Sequence, residues 1–148
     1  MLSMQEISDR FEIQDLLHCY AEIIDSKEFD RLRDEVFCAD AFIDYSVFGG
    51  SKGNLETTIE FLHNAMKLFP NTQHLNANIQ IRLDGDRATG RVMCLNPQEI
   101  QLPDRENHIF FCGLWYVDEY RRTEQGWRIA KRVEEKSFVF NSPPGLNL

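Results

Sequence analysis

The stretch that decides the fold is Tyr20-Ala-Glu-Ile-Ile-Asp-Ser-Lys-Glu-Phe-Asp-Arg-Leu-Arg33, followed after a short gap by Ile43-Asp44-Tyr45. Its apolar residues recur first with helical spacing and then alternate, so the stretch is predicted to end one helix, open a second and enter the first strand. It places one carboxylate, Asp25, where the two helices meet. Asp25 followed three residues later by Glu28 has the pattern of a helix N-cap, which explains the aspartate without any chemistry.

Working outward from this stretch, the first half of the chain is predicted to be helical apart from one strand. The predicted helices are residues 4–24, 25–37 and 54–69. The first opens with a capping box formed by Ser3 and Glu6, and the third is capped by Asn54 and stopped by Pro70. Residues 41–48 alternate and lead into a glycine-rich turn, which is typical of a strand.

From residue 73 onward the pattern has a period of two. The predicted strands are residues 73–83, 87–96, 108–123 and 127–140, with a polar loop at 97–107 and an irregular tail at 141–148. Short turns containing glycine join the first two strands and the last two. Three N-terminal helices followed by long strands predict an α+β fold in which a curved antiparallel sheet wraps around the helices. Such a sheet encloses a concave cavity.

Length and charge limit the kind of protein. The chain of 148 residues is predicted to form one domain, 1–148, with a core of its own. The formal net charge of −8 repels phosphate backbones and anionic membrane surfaces, so neither nucleic acid nor a membrane is expected as a partner. Nowhere do 18 apolar residues follow one another, and the N-terminus lacks a basic start, so a cytoplasmic protein is expected.

The cysteines and histidines form no recognisable metal-binding motif. The 4 cysteines are widely separated and are predicted to be reduced thiols on buried faces. The 4 histidines show neither His-x-His nor His-Glu-x-x-His spacing, although residues distant in sequence could still converge. The sequence therefore gives no reason to expect a metal site.

Several segments together suggest a family. They are Asp25-Ser-Lys-Glu-Phe-Asp-Arg-Leu-Arg33, Ile43-Asp44-Tyr45, Thr72-Gln73-His74 and the final Gly126-Trp127 hairpin. With the order of helices and strands, they resemble the SnoaL-like, nuclear transport factor 2-like superfamily, and the local sequence is similar to its scytalone dehydratase branch. The resemblance covers most of the chain apart from the tail, and it implies a cone-shaped α+β barrel.

The resemblance also implies a site. Position by position, Asp25 and His74 correspond to the Asp-His dyad of that branch, and Tyr45 to a tyrosine that polarises a substrate carbonyl through water. Relatives with the same dyad include hexachlorocyclohexane dehydrochlorinase and bile-acid dehydratase. The spacing from Tyr20 to Asp25 resembles that of the bile-acid enzyme, in which the tyrosine is functional. The pattern of the last strand fits a solvated surface for Arg132, as for Lys131, whereas the dehydrochlorinase has an arginine near this position, so the resemblance implies that Arg132 faces the pocket.

Other positions depart from the scytalone enzyme. Ile24 replaces a second tyrosine, and Gln98 stands where that enzyme has a second histidine. Leu114 and Tyr116 stand in place of a serine and an asparagine, and the long C-terminal lid of that enzyme is absent from this sequence. We expect these four residues to contact the substrate. The substrate should carry fewer hydroxyl groups than scytalone, because an unmatched hydroxyl loses hydrogen bonds when it is buried.

Strand periodicity bears on whether His74 faces the cavity. Strict alternation places His74 on the polar side of its strand, opposite Leu75 and Ile79. Either that polar side lines the cavity locally, or a β-bulge within residues 76–78 shifts the register and turns His74 and Ile79 to the concave face. We favour the bulge. Tyr45 alternates with Ile43, so a place in the core explains it as well as a role in function does.

The chemistry that the resemblance implies is that of a cofactor-independent dehydratase. Histidine has a pKa of roughly 6.5, which suits proton removal beside a carbonyl, and a carboxylate on its other ring nitrogen supports the charged form. We expect a small-molecule substrate, a cyclic or aromatic hydroxy-ketone, and no metal or organic cofactor. Alternatives are a polyketide cyclase or isomerase on the same dyad, or a non-catalytic binding or assembly domain.

The sequence also predicts a homo-oligomer. Trp115, Tyr116 and Tyr120 lie along one long strand, and an open sheet that exposes them would need to be covered. The scytalone and dehydrochlorinase relatives are trimers, whereas dimers are common elsewhere in the superfamily. We therefore favour a trimer over a dimer.

Overall fold

The structure, a computed structural model, describes residues 1–103, 106–143 and 145–146. The helices in these ranges are α1 (Met4–Ser26), α2 (Leu32–Glu35) and α3 (Leu55–Ala65), with short 3-10 turns at Phe29–Arg31, Ser46–Phe48 and Met66–Leu68. The strands are β1 (Phe37–Asp44), β2 (Lys52–Asn54), β3 (Asn71–Thr72), β4 (Leu75–Asp84), β5 (Arg87–Ile100), β6 (His108–Thr123) and β7 (Gly126–Phe140). None of the described helices is long and apolar enough to cross a membrane.

Helix α1 begins as its sequence predicts but ends later. Ser3 and Glu6 form the predicted capping box. The helix continues through Asp25 to Ser26 and stops at Lys27, which has a left-handed backbone with a φ of 62°. The prediction that Asp25 caps a second helix is therefore wrong. The reason is that the 3-10 turn that follows begins after Glu28, and no side chain caps it.

The seven strands form one curled sheet. Their order is β2-β1-β7-β6-β5-β3, and β4 also pairs with β5. All pairs are antiparallel except β1 with β7, which run parallel. The predicted α+β class with a curved sheet wrapped around N-terminal helices is confirmed. The single parallel pair was not predicted, because alternation within a strand carries no information about its partner's direction.

Helices α1 and α3 cover the concave face of the sheet. The buried residues of α1 include Ile13, Leu17 and Ile23, and those of α3 include Ile59 and Leu62. Each such side chain contributes about 1.5–3 kcal/mol when it leaves water. The packing leaves open the part of the concave face that lies between the C-terminal end of α1, α3 and the ends of β4 and β5.

β-Bulges decide which side chains point inward. The register of β4 with β5 shifts between Ala77 and Gln80, and Asn78 has a φ of 47°. This confirms the bulge predicted within residues 76–78. A second shift lies in β7, where Lys131 pairs with Glu119 but Ile129 pairs with Tyr120, so that Ala130 is an extra residue. Each extra residue reverses the side to which the following side chains point.

The predicted boundaries of two strands are wrong. The first strand begins at Phe37 and ends at Asp44, because Ser46–Phe48 forms a 3-10 turn. Strand β5 continues beyond residue 96 to Ile100, although it contains Pro97. The proline is tolerated because it lies opposite the gap between β3 and β4, and its carbonyl accepts a hydrogen bond from the Gln73 backbone. Of the predicted tail, residues 144, 147 and 148 lie outside the described residues, and the others form no helix or strand.

The outer face of the sheet carries an apolar patch. Tyr116 and Tyr120 do not contribute to it, because they point inward and are 1% and 2% exposed, which corrects the expectation from sequence. The exposed large apolar side chains of strands β4 to β7 are Leu75, Leu95, Ile109, Phe138 and Phe140. The register places Leu75 beside Leu95, and Leu95 and Phe138 on either side of Gly113. We call these five residues the outer patch.

Candidate active site

Asp25 occupies a position that helix electrostatics disfavour. It lies in the last turn of α1, where the partial negative charge of the helix end opposes a carboxylate. The carboxylate accepts hydrogen bonds from the Thr72 hydroxyl at 2.8 Å, the His74 backbone N–H at 2.9 Å and His74 Nδ1 at 2.7 Å. These three donors compensate for the helix end. They come from β3 and from the residue just before β4, so Asp25 joins the helix to the sheet.

The Asp25 contact determines the tautomer of His74. Burial opposes ionisation of Asp25, but the hydrogen bonds from His74 and Thr72 outweigh it, and the pKa of the carboxyl is lowered. An ionised carboxylate only accepts hydrogen bonds, so Nδ1 of His74 must carry the hydrogen. The other ring nitrogen, Nε2, has no hydrogen-bond partner among the described residues. In the neutral ring Nε2 therefore holds a free lone pair.

Two buried tyrosines lie beside His74. The hydroxyl oxygens of Tyr20 and Tyr45 are 2.8 Å apart, and the ring of Tyr20 meets the His74 ring edge-on at 6.1 Å between centroids. Burial raises the pKa of Tyr20 to about 12 and that of Tyr45 well above its usual value. Both hydroxyls are therefore protonated at neutral pH. One of the two hydroxyl hydrogens forms the hydrogen bond between the tyrosines, so the other hydroxyl hydrogen can be donated to a further acceptor.

Gly50 fixes the position of Tyr45. The backbone N–H of Gly50 donates to the Tyr45 carbonyl at 3.0 Å. A Cβ atom at position 50 would lie 2.7 Å from Cβ of Tyr45 and 2.8 Å from its carbonyl oxygen. Only glycine allows this close approach, so the turn after β1 holds the tyrosine against the cavity.

These groups meet at one cavity of about 150 Å³. Seven of the nine site residues predicted from sequence line it: Tyr20, Ile24, Tyr45, His74, Gln98, Leu114 and Tyr116. The remaining wall is mostly apolar and comes largely from α3 and the turn after it, including Phe61, Met66 and Phe69. Asp25 lies behind His74 and does not line the cavity. The cavity thus combines an apolar wall with a few convergent polar groups, as ligand sites usually do.

Gln98 belongs to a chain of amides on β5. Its side-chain nitrogen donates to the Asn96 side-chain oxygen at 2.6 Å, and Asn96 in turn donates to the Gln73 carbonyl at 2.7 Å. Asn96 is only 4% exposed. The chain holds the backbone just before His74, so these amides orient the histidine as well as lining the cavity.

Arg132 lies behind the cavity wall and not on a solvated surface. It is fully buried, forms two hydrogen bonds to Asp118 at 2.8 and 2.7 Å, and stacks on the rings of Tyr20 and Tyr116 at 4.3 and 4.0 Å. Burial opposes its charge, but Asp118 outweighs that effect and the pKa of Arg132 is raised. It does not line the cavity. Its charge acts on the site from behind the two tyrosine rings.

Sequence reasoning missed several site residues. Thr72 donates to the Asp25 carboxylate, Asn96 donates to the backbone carbonyl of Gln73, and Glu134 lines the cavity on β7. Thr72 stood within the quoted Thr72-Gln73-His74 segment and could have been included. Glu134 could not have been found by alternation from Trp127, because the extra residue Ala130 reverses the inward side between them.

A larger open groove of about 730 Å³ lies elsewhere on the sheet. Its charged residues are largely paired with one another, as Lys131 with Glu119 and Arg121 with Asp40. None of the described residues that line it is a histidine or a cysteine. Among the described residues, no group of three or more His, Cys, Asp or Glu side chains could hold a metal ion. The cavity beside His74 is therefore the better candidate for chemistry.

Solved structures of other proteins share this fold. The Kfla4162 protein of Kribbella flavida is 26% identical with a TM-score of 0.82, over 90% of this chain and 94% of that one. A Novosphingobium aromaticivorans protein provisionally named as a scytalone dehydratase is 18% identical, with a TM-score of 0.79 over 93% and 89%. Hexachlorocyclohexane dehydrochlorinase LinA-type3 of Novosphingobium barchaimii is 19% identical, with a TM-score of 0.76 over 96% and 94%. At these identities the last two show the fold alone.

One relative is more similar in sequence than these solved structures are. The uncharacterized protein Rv2910c of Mycobacterium tuberculosis is 47% identical over 138 residues, which are 93% of this chain and 92% of that protein. The family model of the SnoaL-like domain matches residues 5–133. Both matches include the C-terminal turn of α1, the strand ends around His74 and most of the curled sheet. The chain therefore belongs to the SnoaL-like domain family.

Proposed function

We propose that this protein is a cofactor-independent lyase that removes water from a cyclic hydroxy-ketone. The observation that carries the proposal is the 2.7 Å contact between Asp25 and Nδ1 of His74, at the wall of a mostly apolar cavity. The contact leaves Nε2 as a base in the cavity. The fold neighbours named for dehydratase and dehydrochlorinase activity support an elimination reaction, since both activities remove a proton and a leaving group from adjacent carbons.

The first step is removal of a proton from the carbon beside the carbonyl. His74 Nε2 accepts this proton, and the electron pair moves onto the carbonyl oxygen to give an enolate. Asp25 stabilises the resulting imidazolium through its ion pair with Nδ1 and prevents the ring from turning. In this scheme His74 is the catalytic residue, and Asp25 is a positioning residue that acts through it.

The enolate oxygen requires a hydrogen-bond donor. Tyr45 supplies it directly or through one water, while Tyr20 donates its own hydrogen to Tyr45. The enolate then re-forms the carbonyl and expels the hydroxyl group from the neighbouring carbon. The imidazolium of His74 gives its proton to this hydroxyl as it leaves as water. The products are an unsaturated ketone and water, and the histidine returns to its neutral form.

The size and polarity of the cavity limit the substrate. A cavity of about 150 Å³ accepts benzene in another protein, so a one-ring substrate fits without rearrangement of the walls. Ile24 and Leu114 present hydrocarbon where extra hydroxyls of a polyphenol would lie. An unmatched hydroxyl there loses about 1–3 kcal/mol of hydrogen bonding. We therefore favour a one-ring hydroxy-ketone over scytalone.

The test uses 3-hydroxycyclohexanone, whose dehydration gives 2-cyclohexenone with a conjugated ultraviolet absorbance. We expect turnover by the wild type, loss of turnover in His74→Gln, and no reaction of cyclohexanol, which lacks the carbonyl. Scytalone and its analogue without phenolic hydroxyls, 3-hydroxy-1-tetralone, test specificity. Equal or faster turnover of scytalone would contradict the proposed preference.

A second measurement separates dehydration from the alternatives. Nuclear magnetic resonance follows exchange of the hydrogens beside the carbonyl of cyclohexanone in D₂O. Exchange that depends on His74, without water loss from any hydroxy-ketone, would favour a cyclase or isomerase on the same pair. Absence of both exchange and dehydration would favour a non-catalytic binding or assembly domain and overturn the proposal.

A further inference from the structure

Glu134 is an acidic side chain in the cavity that the proposed mechanism does not use. It lines the cavity together with His74, and on the neighbouring strand its register partner is Tyr116. Among the described residues, its carboxyl has no hydrogen bond and no ion pair. Glu134 is half-buried, and its carboxyl oxygens are not among the fully buried polar atoms that lack a partner, so the group reaches the open space of the cavity and is available to a ligand.

The backbone places Glu134 there by a specific device. Ala130 is an extra residue in β7, so Arg132 and Glu134 turn to the concave side that Trp127 and Ile129 occupy earlier in the strand. Arg132 uses Nε and Nη2 in its two hydrogen bonds to Asp118, and its third nitrogen, Nη1, has no hydrogen-bond partner among the described residues. Glu134, two residues further on, reaches the cavity with its hydrogen-bonding capacity unused.

The surroundings keep Glu134 uncharged. Burial raises the pKa of Glu134 to about 8, Arg132 opposes this rise, and Asp44 adds to it. The Asp44 carboxylate on β1 is itself paired with Lys52 at 2.9 Å. Tyr20, Tyr45, Tyr116, Cys94 and Cys112 also lie near Glu134, and burial raises the pKa of each of them, so they are neutral at pH 7. His74 lines the same cavity, and Lys136 lies two residues further along β7. A protonated carboxylic acid is a hydrogen-bond donor.

We propose that Glu134 acts as a neutral hydrogen-bond donor in the cavity and selects ring ketones that carry a second acceptor oxygen, such as another carbonyl. This inference rests on the proposed function, because it assumes that the cavity holds a ring ketone. In the proposed mechanism His74 takes the proton from the carbon beside the reacting carbonyl, and Tyr45 donates a hydrogen bond to the carbonyl oxygen. Glu134 then binds the second oxygen and orients the ring. The substrate class narrows to one-ring hydroxy-ketones with a further carbonyl or ether oxygen.

The experiment compares the binding of cyclohexane-1,4-dione with that of cyclohexanone, which lacks the second oxygen. Calorimetry or nuclear magnetic resonance titration measures both dissociation constants from pH 6 to pH 9. We expect the wild type to bind the dione about tenfold more tightly below pH 8, which corresponds to about one hydrogen bond. The preference should disappear above about pH 8, because an ionised carboxylate cannot donate.

Three variants complete the test. Glu134→Gln keeps a donor that does not titrate, so the preference should persist at all pH values. Glu134→Leu removes the donor and should bind the two probes equally. Glu135→Gln is the matched control, because Glu135 is exposed and paired with Arg91, and it should behave as the wild type does. A preference that survives in Glu134→Leu, or a wild type that binds the dione no more tightly than cyclohexanone, would overturn the inference.

The same measurements separate this inference from the proposed lyase activity. His74→Gln should lose turnover of 3-hydroxycyclohexanone yet keep the tenfold preference for the dione. If the wild type shows the preference but dehydrates nothing, the binding role of Glu134 stands and the lyase proposal fails. If it dehydrates 3-hydroxycyclohexanone but shows no preference for the dione, the lyase proposal stands and the role of Glu134 fails.

Discussion

Replacing Asp25 with asparagine should change the tautomer of His74 more than it changes stability. The asparagine side chain has one oxygen and one NH₂ group, whereas the carboxylate accepts from three donors. If the NH₂ group faced the His74 backbone N–H, two donors would meet at a cost of about 1–3 kcal/mol. The NH₂ group will therefore turn toward Thr72 and His74 Nδ1, both of which can accept.

This arrangement moves the ring hydrogen from Nδ1 to Nε2. Nε2 then has no lone pair with which to take a proton from the substrate. The corresponding change in serine proteases lowers kcat by about 10⁴-fold, or roughly 5 kcal/mol in the barrier, and we expect about 10³ to 10⁴-fold here. Stability should change little. The loss of charge-assisted hydrogen bonds is partly offset, because removing a negative charge from a helix C-terminus gains about 0.3–1 kcal/mol.

Three assays examine this reasoning. Turnover of 3-hydroxycyclohexanone measures the activity, thermal unfolding measures stability, and ¹⁵N nuclear magnetic resonance of the His74 ring identifies the protonated nitrogen. We expect a melting temperature within about 2–4 °C of the wild type for a net change near 1 kcal/mol. Asp30→Asn is a suitable control, because Asp30 is exposed on the neighbouring 3-10 turn. The tautomer argument would be falsified if His74 of the Asp25→Asn variant remained protonated at Nδ1, or if the variant kept activity within tenfold of the wild type.

Three further predictions concern the site, the core and assembly. The double variant Asp25→Asn/His74→Gln should be hardly less active than His74→Gln alone, because residues that act in one step are not additive; a further hundredfold loss would show independent roles. Asp118→Asn should destabilise the fold by about 3–5 kcal/mol, because Arg132 would remain buried without its partner; a melting temperature close to that of the wild type would refute this. We also propose that the protein is a homotrimer, with the outer patch covered by other copies; light scattering that reports a monomer at micromolar concentration would contradict it.

Local signals in the sequence predicted most of the elements. The capping box at Ser3, the N-cap at Asn54 and the turn at Asp84-Gly85-Asp86 are interactions between neighbours in the chain, and the structure contains all three. The bulge within residues 76–78 was one of two explanations that the apolar alternation of β4 left open for an inward-facing histidine, and the structure contains it. Such features depend on a few residues that are adjacent in the chain, so they can be predicted from the sequence.

The role of Asp25 illustrates what local signals leave open. Its sequence pattern fits an N-cap, but α1 ends at Ser26, two residues later than predicted, and the aspartate accepts hydrogen bonds from donors 47 and 49 residues away. A family resemblance pointed to His74 as its partner, whereas spacing alone favoured the cap. The choice depends on where β3 and β4 meet the helix end, and that is a property of the assembled sheet.

The inward face of β7 was decided by tertiary structure alone. Nothing in the sequence Trp127-Arg-Ile-Ala-Lys-Arg-Val-Glu134 marks Ala130 as the extra residue. The bulge arises because β7 must pair with β6 on one side and run parallel to β1 on the other, and the two partners impose their registers together. One added residue reverses every side chain that follows it. That reversal buries Arg132 between two tyrosines and turns Glu134 into the cavity, so the residues that alternation assigns to solvent become part of the site.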